Sequence, residues 1–244
     1  MGLLLAVDVG NSGVHCGVHD GATWTRTWRS EPRAVGLALG ETEAVAVETA
    51  IACSVAPTAL STVRTVLAGI LPVALRVLDH AAETGIVTAY ERPETVGMDR
   101  LVACRAAAEL YPPRCLVIDL GTAITFDVVD AERGHLGGAI GPGVGVSARA
   151  LAQRAELLRP FELKPPTELI ARSTGEGLRS GFVYGFAAML DGMVRRLRTQ
   201  VGEPLRVVAT GGDAALIVLL CEEAIEVNDA LVLEGLRLIA TAGV

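Results

Sequence analysis

The sequence predicts an α/β protein built as two lobes of duplicated topology around a central cleft. Three observations lead there: strand-like and helix-like apolar patterns alternate along the chain, a strand ending in Asp-x-Gly opens each half, and the apolar content is high enough to fill two cores. Hydrophobic residues make up 51% and charged residues 20% of the 244 residues, with mean hydropathy +0.45, which excludes a chain too polar to offset its conformational entropy. The length suits one large or two compact domains. The proline pair Pro112-Pro113 marks the division, giving an N-terminal lobe over 1–113 and a C-terminal lobe over 114–244.

Residues 3–8 (LLLAVD) form the continuous apolar run of a buried strand, stopped at Gly10-Asn11-Ser12-Gly13. Residues 14–18 resume the run up to a turn at Asp20-Gly21. Residues 23–29 (TWTRTWR) then alternate polar and aromatic side chains, which extends a β-meander to a third strand with Trp24 and Trp28 on one face. The Ala/Val/Leu/Glu-rich residues 33–48 read as a helix, 49–55 as a buried strand, 58–70 as a helix, 73–78 as a strand, and 99–110 (DRLVACRAAAEL) as a helix stopped by Tyr111-Pro112-Pro113.

The pattern then begins again. Residues 115–119 (CLVID) read as a strand ending in Asp-Leu-Gly-Thr-Ala, and 124–129 and 135–140 complete a second meander. The separation of Asp8 from Asp119 is close to half the chain, as an internal duplication requires. Residues 178–201 form one long helical pattern carrying Gly181, Gly185 and Gly192. Residues 205–209 are a strand, Thr210-Gly211-Gly212 a tight turn, 214–221 a helix and 228–240 a closing helix.

Composition removes several classes of function. A net charge of −7 and a pI near 5.2 give no overall field toward nucleic acid or anionic lipid. The longest apolar stretch, residues 214–221, is far short of the roughly 20 that cross a bilayer. The opening MGLLLAVDVG carries no basic leader, so the chain is read as soluble, unsecreted and cytoplasmic. Five scattered cysteines, never CxxC, look like reduced core thiols, and four histidines lie at no metal-helix spacing. Lys164 is the only lysine, which argues against a P-loop, since that motif needs its lysine directly after the glycine loop.

Asp8-Val9-Gly10-Asn11-Ser12 sets a carboxylate and several backbone amides at one turn, which suits a metal-bound phosphate; Asp-x-Gly is also an ordinary hairpin device. The second copy, Asp119-Leu120-Gly121-Thr122-Ala123, favours the phosphate reading, since two such turns can converge from two lobes. A third glycine turn, Thr210-Gly211-Gly212-Asp213, follows a strand and opens a helix, where free amides suit phosphate or ribose oxygens. Asp99 stands where a helix starts, as a cap, a general base or both. Arg100 reads either as a solvated helix-start arginine or as a partner for a substrate carboxylate. Asp127 and Asp130 read as turn or structural acids.

The recurring layout resembles the actin, sugar-kinase and heat-shock chaperone ATPase superfamily, whose lobes have ribonuclease-H-like topology. The particular motifs resemble type III pantothenate kinases. They run in order from Asp8-Val-Gly-Asn-Ser12, through Tyr90-Glu-Arg-Pro93 and Gly97-Met-Asp-Arg100, to Asp119-Leu-Gly-Thr-Ala-Ile-Thr-Phe-Asp127. Gly137-Gly-Ala-Ile-Gly-Pro-Gly143, Ser173-Thr174 with Ser180-Gly181 and Gly185, and Thr210-Gly-Gly212 continue the set across nearly the whole chain.

The resemblance implies ATP-dependent phosphorylation of pantothenate to 4′-phosphopantothenate, toward coenzyme A. It implies ATP binding by Asp8, Val9, Gly10, Asn11, Ser12, Gly13, Val14 and His15, with Asp8 near Mg²⁺, and by Thr122 of the second lobe. Asp119 would hold a monovalent cation, K⁺ or NH₄⁺. Asp99 would be the base, with Tyr90, Gly97, Met98, Asp99 and Arg100 lining the pantothenate pocket. Thr174 would reach pantothenate across a homodimer interface. The alternative is a non-catalytic accessory relative that binds nucleotide without turnover.

Overall fold

The two apolar runs that end in Asp-x-Gly become the central strands of two five-stranded sheets. A computed structural model describes residues 2–155, 158 and 161–242. The chain divides into two compact units, the first comprising Met1–Leu110, Ala131–Gly137 and Ala230–Val244, the second Tyr111–Asp130 and Gly138–Asp229.

In the first unit, β1 (Leu3–Gly10), β2 (Gly13–His19) and β3 (Trp24–Ser30) form the expected meander, followed by α1 (Glu41–Val45), β4 (Val47–Ser54), α2 (Pro57–Ala68), β5 (Leu75–Val77) and α3 (Met98–Leu110). The sheet order is β3-β2-β1-β4-β5; β1 pairs antiparallel with β2 and parallel with β4, and β4 is parallel to β5. The second unit repeats this with β6 (Arg114–Leu120), β7 (Ala123–Asp130), β8 (Gly134–Pro142, of which the residues up to Gly137 are counted with the first unit), α4 (Val144–Arg154), α5 (Thr174–Val201), β9 (Arg206–Thr210), α6 (Ala214–Val218) and β10 (Glu226–Val227). Its order, β8-β7-β6-β9-β10, has β6 antiparallel to β7 and parallel to β9, and β9 parallel to β10. The two sheets therefore share one topology.

The closing helix α7 (Leu231–Thr241) falls in the first unit, where it packs on α3 and on β1, β2 and β4. A division at 113/114 does not describe this return, because the last helix buries its apolar face against strands from the beginning of the chain.

Three local expectations also change. Residues 33–48 are not one helix: Pro32–Ala34 form a single 3-10 turn and α1 spans only Glu41–Val45, because Gly36 and Gly40 break the apolar pattern. The helix from residue 214 ends at Val218, short of Cys221. Trp24 and Trp28 do not share a face. A register shift in the β2–β3 pairing sets Cys16 opposite Trp28 but His19 opposite Trp24, and one residue of slip turns the later side chains over. Trp28 packs against the core on one face of the sheet, while Trp24 Nε1 donates to Glu234 Oε2 of α7 at 3.0 Å on the other.

Both faces of β1 are covered, which explains its unbroken apolar run. Leu5, Val7 and Val9 meet Val63 and Leu67 of α2 on one side, all at 0–1% exposure. Full burial of each such side chain contributes about 1.5–3 kcal/mol. The other side receives α3 and α7, which approach closely at Gly235: a Cβ there would lie 2.1 Å from the Val102 carbonyl oxygen.

The cysteines are free, and those of the strands are buried. Burial holds the Cys115 thiol up to about 12 and, with Asp8 adding to it, holds Cys16 higher still; Cys221 is also raised to about 12, by burial and then Asp191.

Two tests follow from this packing. Gly235→Ala should gain about 1 kcal/mol of helix propensity but lose roughly 1–3 kcal/mol or more to the clash, because a backbone carbonyl cannot swing aside. A fall of roughly 5 °C in the thermal midpoint is expected, and an unchanged or raised midpoint would contradict the α3–α7 contact. Above the ordinary thiol value of 9.0, the unfolded chain releases protons that the folded chain keeps. Stability should therefore be fully present below pH ~9 and fall as pH rises toward ~12, measured by urea unfolding; Cys16→Ala and Cys115→Ala should together flatten that slope.

Candidate active site

Parallel pairing of β1 with β4 puts Asp8 directly beside Cys53, and antiparallel pairing with β2 puts it beside His15. Cys53 is fully buried, and its Sγ donates to Asp8 Oδ1 at 3.6 Å. Burial first, then Asp8, then Asp99 hold this thiol well above its ordinary range. A Cβ at Gly97 would stand 2.5 Å from Asp99 Oδ1 and 3.4 Å from Val55 Cγ1, and Val55 N donates to the Val9 carbonyl at 3.2 Å, so Asp8 and Asp99 share one neighbourhood of the first unit.

Asp99 lies in the first turn of α3, where its Oδ1 accepts from the Arg100 backbone N–H at 2.8 Å, and the Gly97 carbonyl accepts from Leu101 N at 3.3 Å. The helix start therefore fixes where the carboxylate stands. The following arginine is held as well. Arg100 is 8% exposed, its Nη2 donates to Tyr90 Oη at 3.1 Å, and its guanidinium lies 5.6 Å from the Tyr90 ring centroid. These two contacts fix the guanidinium beside the first turn of α3, next to Asp99.

Residues 8–15 divide in role. The Val9 and Val14 side chains lie in the core, so only their backbone can face a ligand; the Val9 carbonyl accepts from Val55 N at 3.2 Å and Ser54 Oγ at 3.3 Å. Asn11 and Ser12 stand exposed at the tip of the turn, and His15 is buried. Asn11 also lines a cavity of about 510 Å³ shared with Arg33, Thr58 and Thr62.

In the second unit, Asp119 pairs with Thr125 on β7 and Thr210 on β9. The turns around Gly121, Gly143 and Gly211 meet here. Gly143 N donates to the Thr122 carbonyl at 3.0 Å, and a Cβ on Gly143 would stand 2.2 Å from the Gly121 carbonyl oxygen. Gly211 has φ +95°, and a Cβ there would lie 2.4 Å from Asp119 Oδ1. Only glycine fits such a position. The third turn is therefore packed against the second Asp-x-Gly turn. Asp213 N donates to the Leu120 carbonyl at 3.2 Å, and burial raises the Asp213 carboxyl against the lowering effects of the Gly145 amide and Arg149.

Thr122 is exposed at its turn, and Thr174 is exposed at the first position of α5. The helix starts earlier than its apolar pattern suggests because Ser173 Oγ accepts from Glu176 N at 3.3 Å. Asp130 pairs with Arg114 at 3.2 Å, the structural role expected of it. Cys53 and Asp213 carried no usable signal in sequence, since each gains its place only through strand pairing or turn packing.

A family model described as type III pantothenate kinase matches residues 4–196. A curated type III pantothenate kinase of Frankia alni is 38% identical over 253 aligned positions, covering 97% of this chain and 98% of its own. Among solved structures, a Campylobacter jejuni protein described as a Baf family transcriptional activator matches with TM-score 0.60 and 20% identity over 98% of both chains. The ROK hexokinase of Thermus thermophilus matches with TM-score 0.50 and 16% identity over 99% of both. These structural likenesses carry the fold alone, and the fold is that of actin-like ATPases. With the family model spanning most of the chain and a relative of such identity matching along its full length, the chain belongs to the type III pantothenate kinase family.

Proposed function

We propose that this protein transfers the terminal phosphoryl group of ATP to the primary hydroxyl of pantothenate, giving 4′-phosphopantothenate and opening the route to coenzyme A. The observation that carries the reading is the grouping of Asp8, Asp99, Arg100 and Tyr90 in one unit, in a chain of this family. Arg100 takes the pantothenate carboxylate, with Tyr90 fixing its fork. Gly97 and Met98 form the floor at the helix start. Asp99 orients the hydroxyl and accepts its proton late, as a loose phosphoryl-transfer transition state allows. The turn amides of Gly10 to Gly13, with Asn11 and Ser12, hold phosphate oxygens, so positioning and charge neutralisation do most of the work.

The donor set around Asp8 fits Mg²⁺. Its available ligands are hard oxygens, and the neighbouring thiols of Cys53 and Cys16 are held protonated and so are no ligands. Mg²⁺, when bound, supplies charge neutralisation at the phosphates. Asp119 and the carbonyl of Leu120 are likewise oxygen donors, as K⁺ or NH₄⁺ requires. A homodimer is supported by an apolar groove of about 400 Å³ on α5, lined by Gly181, Phe182, Gly185 and Phe186. Its partner would bring Thr174 to the substrate. The cytoplasm is the place where such a metabolic kinase acts, and among the described residues no helix is long and apolar enough to cross a membrane. A non-catalytic accessory role gains no support, since Asp8, Asp99, Arg100, Asp119 and Thr122 are all present.

Incubation with ATP, Mg²⁺, K⁺ and pantothenate should yield ADP and phosphopantothenate, with K⁺ omission lowering the rate. Asp99→Asn should cut kcat by roughly 10²–10⁴-fold with the circular dichroism spectrum unchanged; no product from the unaltered chain, or an unaffected Asp99→Asn rate, would refute the reaction or the base assignment respectively. Light scattering should give twice the 25.4 kDa chain mass, and Phe182→Glu should give monomers with weakened pantothenate binding. A monomeric parent protein would remove the dimer.

A further inference from the structure

Arg100 is held by Tyr90, but Tyr90 sits in a segment without regular secondary structure, between β5 and α3. A ring in such a segment needs support if it is to hold a guanidinium in place. The support comes from His135, which belongs to the same unit and is completely buried.

The His135 and Tyr90 rings stack with centroids 5.3 Å apart and planes 15° from parallel. His135 Nδ1 lies 2.9 Å from Thr88 Oγ1, and that same hydroxyl accepts from the Tyr90 backbone N–H at 3.3 Å. The backbones are joined as well. His135 N donates to the Val87 carbonyl and Ala89 N donates to the His135 carbonyl, both at 2.8 Å, forming a parallel bridge between Thr88 and His135. The histidine thus grips the segment on both sides of Thr88 and lays its ring flat against Tyr90. The tyrosine hydroxyl and the tyrosine ring both meet Arg100.

We propose that His135 is a positioning residue for the carboxylate of the acceptor substrate, acting through Tyr90 on Arg100. This rests on the reading of the site as a pantothenate pocket and adds to it the element that fixes the guanidinium's direction. The stack sets the ring plane, the Thr88 hydroxyl meets the imidazole at Nδ1, and the Tyr90 hydroxyl carries the result to Arg100. A carboxylate clamp misplaced by about 1 Å loses much of its bidentate geometry, so removal of the support acts on acceptor binding and leaves the nucleotide's binding alone.

The test compares KM for pantothenate and for ATP in the full-length enzyme. His135→Leu keeps volume and removes both the ring and the Nδ1 contact; it should raise the pantothenate KM about tenfold, with kcat and the ATP KM within about twofold. His135→Phe restores the stack and should recover most of the loss. A His135→Leu enzyme with an unchanged pantothenate KM, or with both KM values raised alike, overturns the proposal, as does failure of phenylalanine to rescue. If His135→Leu does not fold, Thr88→Val decides. It removes the Nδ1 contact and should raise the pantothenate KM several-fold without moving the ATP KM, and no change there is also fatal. An unaltered chain inactive on pantothenate removes the functional reading and this inference together, whereas an active parent with unaffected variants removes this inference alone.

Discussion

The parallel pairing of a strand that ends in Asp-x-Gly with the strand returning after it is the constraint on which the rest of this protein depends. In the first unit it sets Asp8 against Cys53, and in the second it sets Asp119 against Thr210. Each carboxylate stands at the C-terminal end of a central strand, where the chain turns and backbone amides are free, the usual location of ligands in open α/β sheets. Antiparallel pairing with the next strand then fixes the turn itself, because Gly10 pairs with Gly13 and Leu120 with Ile124. The duplicated strand order repeats the device in both units.

Cysteine at the position beside Asp8 has a physical logic. A carboxylate or amine there would add charge next to Asp8, and a larger apolar side chain would not donate. A buried thiol is small, stays neutral and offers one weak hydrogen bond. The strand beneath Asp8 therefore remains apolar and uncharged.

Much of this was legible in sequence. The two meanders and the two Asp-x-Gly turns follow from local apolar runs and glycine positions, and the helix at Asp99 follows from its spacing. What escaped is what local patterns do not encode. Composition alone made residues 33–48 look helical, but two glycines outweigh a favourable average. A register slip in β2–β3 sends two tryptophans to opposite faces, although their spacing matches a single face. His135 reads in sequence as one more isolated histidine. Its role depends on a bridge to Thr88 and a ring contact to Tyr90, both remote along the chain. The third glycine turn gains meaning only when Gly211 is seen against Asp119.

The return of α7 to the first unit also bears on how the protein is made. As the polypeptide leaves the ribosome, β1 to α3 emerge with one side of their sheet covered by α3 alone, and the whole second unit must be synthesised before Leu231 to Thr241 arrive to complete the cover. Until then Leu4, Ala6 and Ile51 face water or a chaperone. The nascent protein should thus complete its second-made half first, so that the order of maturation runs opposite to the order of translation.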